Sequence, residues 1–138
     1  MNGGYVLDAC ALIAYFKEEE GMDTMLQFFK RAIDGEISLF MHRINLLEVY
    51  YGFYRDDGKE NAEAVLADSL SLPITIVDNL GDAFFREAGR IKASFAISLA
   101  GSCALALAST RGDALVTADR HEFGAIENKD TIRFSWIR

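Results

Sequence analysis

The chain has 138 residues, 51% of them hydrophobic and 25% charged, which suits one soluble globular domain with one core and argues against disordered or fibrous classes. Fourteen Lys and Arg against 21 Asp and Glu leave a net charge of −7, so the bulk field lacks the basic footprint usual for nucleic-acid binders. An acidic excess is compatible with a cation site or a basic partner, and equally with solubility alone. Cys10 and Cys103 lie in apolar helical runs without metal-ligand spacing, so both read as small buried hydrophobes of a reducing compartment. No window reaches the roughly eighteen apolar residues of a membrane span, and no basic leader precedes the first strand. The expectation is a single cytoplasmic domain over residues 1–138.

Residues 5–7 form a short β-rich apolar run that ends in Asp8, and residues 10–16 then read as a short helix. Glu18, Glu19 and Glu20 are a solvated charge run. Met22, Met25, Leu26, Phe28 and Phe29 recur at helical spacing, a stripe expected to face the core or a dimer partner, and Asp34-Gly35 stops that helix. Residues 37–41 are a strand. Ile44, Leu47, Tyr51 and Tyr54 mark one stripe of a third helix, which ends near Gly58. A fourth helix over 59–70 is broken by Pro73, the only proline, and residues 74–77 are the third strand. Asp78 can cap a long helix running to about residue 95, and Ser98 an Ala/Leu-rich helix to about 110. Gly112 turns the chain into strand 114–117, which delivers Asp119. A short helix over 123–127 and a strand near 132–134 close the chain. Strands separated by helices predict an α/β fold with a mostly parallel sheet.

Three acids could share a site. In open parallel sheets ligands bind beyond the carboxyl ends of strands, and Asp8 and Asp119 each lie just past such an end. Each could also simply cap the helix that follows. Glu48 sits among Ile44, Leu47 and Tyr51 at i, i+3, i+4, i+7 spacing, and a carboxylate on an apolar stripe needs a partner. Glu48 could instead sit at the rim of the buried face, or its partner could be an arginine such as Arg90, or a metal ion. Clustered carboxylates repel until a divalent cation relieves them, and oxygen-only ligands suit Mg²⁺ or Mn²⁺. No His cluster suggests Zn²⁺; His42 and His121 read as separate surface residues. An Asp/Glu site holding Mg²⁺ suits phosphodiester hydrolysis, where the cation orients phosphate, activates water and stabilises the leaving oxygen.

Three segments carry a resemblance: Tyr5-Val6-Leu7-Asp8-Ala9-Cys10-Ala11-Leu12, Ile44-Asn45-Leu46-Leu47-Glu48-Val49-Tyr50-Tyr51-Gly52, and Leu115-Val116-Thr117-Ala118-Asp119-Arg120-His121-Glu122-Phe123. In this order and spacing the chain resembles the PIN-domain family, in particular the toxin ribonucleases of VapBC-type toxin–antitoxin pairs. The resemblance implies a three-layer α/β/α sandwich around a four- or five-stranded sheet. It further implies Mg²⁺- or Mn²⁺-dependent endonuclease cleavage of RNA, with Asp8, Glu48 and Asp119 as catalytic and metal-binding acids. A homodimer and a cognate antitoxin are implied as well; residues 20–29, with exposed-looking Met and Phe, would form part of the antitoxin groove. A receiver or a haloacid-dehalogenase-type hydrolase fits worse, because Asp8 lacks a neighbouring acid and residue 10 is Cys.

One position departs from the family pattern. Its third acid falls where this chain has Gly101. With Ser98 as N-cap, residue 101 is N3, where an acid would close a capping box and meet the positive helix end. Glycine there costs about 1 kcal/mol relative to alanine. Besides simple close packing of the glycine, three readings stay open: a weakened site; substitution by Ser102, Asp82 or Glu122; or an inactive protein, by nature or by alteration. Arg43, Arg90, Lys92, Arg120 and His121 flank the motifs and are the candidates for RNA phosphate contacts.

Overall fold

Short β-branched and apolar runs spaced by amphipathic segments can pair only through crossovers, and the structure shows that arrangement. The structure is a computed structural model and describes residues 3–138. Strands β1 (Gly3–Leu7), β2 (Ile37–His42), β3 (Thr75–Val77), β4 (Ala114–Thr117) and β5 (Phe134–Trp136) lie in the order β3-β2-β1-β4-β5. All four pairings are parallel, so the sheet seen among the described residues is wholly parallel. The crossovers carry α1 (Ala9–Phe16), α2 (Met22–Ile33), α3 (Arg43–Asp57), α4 (Lys59–Ser71), α5 (Asp82–Ser94), α6 (Leu99–Arg111) and α7 (Arg120–Phe123).

Side chains alternate across the sheet and so feed two cores. Leu7, Leu39, Met41 and Val116 pack with Leu12, Met25, Phe53 and Val65 from α1 to α4 on one face. Val6 and Leu115 pack with Phe84, Ile91 and Leu105 from α5 and α6 on the other. The result is the expected three-layer α/β/α sandwich. From β1 the chain moves outward to β2 and β3, then returns to place β4 on the other side of β1. The strand order therefore reverses between β1 and β4, which opens a crevice at their carboxyl ends.

Several local expectations shift. Asp78 does not cap α5. Asn79 accepts from the Gly81 backbone N–H at 2.6 Å and its carbonyl meets His42 Nε2 at 3.0 Å, so the turn is spent on Asn79 and Gly81 becomes the N-cap. The last helix starts earlier, because Asp119 itself caps it, and the last strand ends later, in register with β4 through Trp136. On α3 the stripe of Leu47, Tyr51 and Tyr54 is the solvent face; the buried face is Asn45, Leu46, Val49 and Phe53. On α2, Met25, Phe28 and Phe29 are core residues, which leaves Leu26 as the exposed apolar side chain within 20–29. His42 is buried rather than superficial: it stacks on Phe84 and caps α3 by accepting from the Ile44 N–H. His121 is exposed, as expected.

Leu115 is fully buried on β4, an interior strand of the sheet. Leu115→Ala is expected to destabilise the fold by about 2–5 kcal/mol. Urea unfolding followed by circular dichroism measures it, and a loss within a few tenths of a kcal/mol would contradict the assigned core.

Candidate active site

Asp8 and Asp119 leave adjacent strands at the same edge. Leu7 pairs with Val116, and the Asp8 N–H donates to the Val116 carbonyl at 3.3 Å. Both aspartates do cap helices: Asp8 Oδ1 accepts from the Ala11 N–H at 2.9 Å, and Asp119 Oδ1 from the Glu122 N–H at 3.0 Å. Capping and site-building coexist here, because a strand-to-helix turn aims its cap residue into the crevice. Glu48 joins from α3, half-buried between the core and solvent faces of that helix. All three line one pocket of about 310 Å³, together with Asn45, Tyr51, Arg55, Gly101 and Glu122.

Thr117 ties the two aspartates together. Fully buried at the end of β4, it donates its hydroxyl to Asp8 Oδ2 and accepts from the Asp119 N–H at 3.0 Å. Burial nonetheless dominates at Asp8 and pushes its carboxyl from 3.8 to about 7, against the lowering pull of the Thr117 and Ala11 bonds; Asp119 and Glu48 push it up further. Glu48 is also raised, first by burial, then by the charges of Glu122 and Asp119. Cys10 lines the same pocket half-buried, and burial together with the Asp8 charge pushes its thiol up to about 12, so it stays protonated and inert.

The donor set is all oxygen and mutually repulsive, which fits a hard divalent cation. Among the described residues, no three acids, histidines or cysteines converge on one point. The acids therefore share a pocket rather than a preformed coordination sphere.

The other nominated residues fall elsewhere. Ser102 is fully buried and donates back to the Ser98 carbonyl, and Asp82 sits in the first turn of α5, outside the pocket lining. Arg90 pairs with Glu87 and Asp130, not with Glu48. Arg43 and Lys92 line separate surface grooves, and Arg120 lies 4.4 Å above the Trp136 ring. Sequence reasoning missed two pocket residues, Asn45 and Arg55, and the buried Thr117 that supports the aspartates from behind the pocket. Thr117 could have been found from its place two residues before Asp119 at a strand end. Asn45 lies one helical turn before Glu48, and Arg55 one turn after Tyr51.

Comparison with known proteins gives the family and the fold. The PIN domain family matches residues 5–129, and the chain belongs to that family. It resembles a chain of the DNA-bound VapBC of Salmonella typhimurium at TM-score 0.75 and 21% identity, covering 100% of each. VapBC2 of Rickettsia felis bound to a promoter DNA fragment gives TM-score 0.72 at 19% identity, over 96% of this chain and 98% of that one. Mycobacterium tuberculosis VapC20, a sarcin-ricin loop cleaving toxin, gives 0.65 at 14%, over 88% and 94%. At these identities the likeness is one of fold. No curated protein sequence matches the chain.

The raised Asp8 carboxyl has a measurable sign. Between pH 3.8 and about 7 the folded chain holds a proton that the unfolded chain has released. The stability tied to this group is therefore complete below the lower value and is lost as pH rises through the upper one. In chelator-treated buffer Asp8→Asn, which keeps the shape and the helix cap acceptor, is expected to melt above the parent at about pH 8, with the advantage shrinking towards about pH 5. Calorimetry at both values decides it: a gap that does not widen with pH would refute the buried-charge account.

Proposed function

We propose that the chain, as one PIN unit over residues 1–138, is a Mg²⁺- or Mn²⁺-dependent endoribonuclease toxin of a type II toxin–antitoxin pair. Asp8, Glu48 and Asp119 are its cation ligands. One observation carries the reading: three acids from β1, α3 and the β4–α7 turn face a single pocket at the switch point of a PIN fold. A bound divalent cation would orient the scissile phosphate, acidify a water and offset charge on the leaving oxygen.

The chain's own groups prepare that chemistry. Thr117 holds the Asp8 carboxylate and the Asp119 backbone at one edge, and the Glu122 N–H holds the Asp119 carboxylate, so neither has to be ordered when a ligand arrives. The Asp8 carboxyl, at about 7, must lose its proton to act as a ligand, so activity rises with pH through neutrality. Arg55 is the basic side chain that lines the pocket, and it lies over the half-exposed Tyr51 ring. The pair offers a cation for an RNA phosphate and a face for a base beside the acids.

The resemblance to VapBC complexes and to the sarcin-ricin loop cleaving toxin VapC20 supports the toxin reading and a nucleic-acid loop as the kind of substrate, here RNA. An antitoxin partner and a homodimer would cover apolar surface that the described chain leaves open, including Leu80, Phe85 and Leu99. A net charge of −7 favours a basic antitoxin segment. No helix among the described residues is long and apolar enough to cross a membrane, in keeping with a cytoplasmic toxin.

Gly101 favours a second reading, a catalytically impaired PIN domain that binds antitoxin or RNA without cutting. Incubation of the purified chain with RNA separates the two. Under the nuclease reading, cleavage appears with Mg²⁺ or Mn²⁺, vanishes with chelator, and falls about a hundredfold or more in Asp8→Asn and Asp119→Asn. Arg55→Ala is expected to raise KM about three- to tenfold with little change in kcat. Cleavage that survives chelation would defeat the metal-dependent reading. Absence of cleavage with intact antitoxin or RNA binding would select the impaired one.

A further inference from the structure

The first turn of α6 lacks an acid of its own, yet the space above Gly101 is taken by one. A Cβ built on Gly101 would lie 2.5 Å from Glu122 Oε1 and 3.0 Å from its Cδ. The same Oε1 accepts from the Ser98 backbone N–H at 2.7 Å and from the Ser98 hydroxyl at 2.6 Å, while Ser98 Oγ accepts from the Gly101 N–H at 2.9 Å. In a capping box the N3 acid reaches back to the N-cap N–H. Glu122 makes that bond from α7, through space, in place of an acid at residue 101.

We propose that Glu122 is the fourth carboxylate of the acid pocket, delivered across from α7 to the position that an α6 acid would occupy. The inference rests on the reading of this pocket as a divalent-cation site. Glu122 lines the pocket, and of the neighbouring charges it bears most strongly on Glu48. Both Ser98 bonds go to Oε1, so Oε2 takes no hydrogen bond from the described residues and is the oxygen available to a ligand. A second feature points independently to a ligand. Asn45 lines the same pocket, is 1% exposed, and its Nδ2 has no hydrogen-bond partner among the described residues. A buried amide donor is rarely left unpaired, and a cation's water or a phosphate oxygen is the acceptor such a pocket would bring. Gly101 is then the residue that makes room: any side chain there would displace the Glu122 carboxylate.

Mn²⁺ binding to the chelator-stripped chain, read by electron paramagnetic resonance of free Mn²⁺ and by calorimetry, tests this without any activity assay. Glu122→Gln keeps an oxygen acceptor for Ser98, so its metal-free melting temperature is expected to stay with the parent's. Its Mn²⁺ affinity is expected to fall about tenfold or more. The double variant Gly101→Asp/Glu122→Ala, which returns the acid to α6 and clears its space, is expected to recover most of that loss. Parental affinity in Glu122→Gln beside lost affinity in Asp8→Asn would overturn the role of Glu122 and leave the cation site standing. Parental affinity in Asp8→Asn, or no Mn²⁺ binding by the parent, would overturn the cation site itself.

Discussion

The buried carboxylate of Asp8 is the constraint around which the other pocket residues are arranged. It ends the central strand, caps α1, and receives the Thr117 hydroxyl from the strand across the switch point. Those bonds favour the charged form, yet burial outweighs them, and the two flanking acids add to the imbalance. A protein that wanted only a helix cap there would do better with a neutral acceptor, because a buried charge needs compensation that this pocket does not supply internally. The stored cost becomes useful when a positive ligand arrives, which is the ordinary trade of stability for function at a site.

What the sequence made legible follows from what is local. The strand runs, the helix stop at Gly58, the Ser98 cap and the two aspartates at strand ends all depend on neighbours within a few residues. The sheet and its sandwich follow from those runs by connection rules, so the fold came out nearly whole. On α3 the apolar stripe of Ile44, Leu47, Tyr51 and Tyr54 resembles a core face in the sequence, and only the sheet shows that 45, 46, 49 and 53 point inward. An exposed aromatic face on a helix is a tertiary fact; apolarity alone does not say which way it turns.

The flanking basic residues lie outside the acid pocket for the same reason. Arg90, Lys92, Arg43 and Arg120 flank motif segments in sequence, but in space Arg90 is held by two acids and Arg120 covers Trp136. Arg55, three residues past the Ile44–Gly52 segment on the same helix, is carried to the pocket by a helical turn beyond Tyr51. Proximity to a motif along the chain does not by itself say which flanking side chain reaches the chemistry, since the acids themselves come from segments some forty to seventy residues apart and helix phase decides the rest.

Gly101 shows how far a local rule can be right and still mislead. At N3 of a helix made of strong formers, glycine is a poor choice by about 1 kcal/mol. That cost is one of backbone entropy and stays with the glycine; the missing N3 acid is a separate matter, because it can be served from outside the helix. Here the Ser98 N–H donates its reciprocal bond to Glu122, and the glycine is what lets that carboxylate approach. The capping box is thus divided between two segments, with its hydroxyl in α6 and its acid in α7. Such a division keeps negative charge at the helix start and at the pocket wall, which are the same place in this fold. It also couples the two segments: an acid restored at residue 101 competes with Glu122 for one volume and one N–H, so the two side chains are alternatives rather than additions.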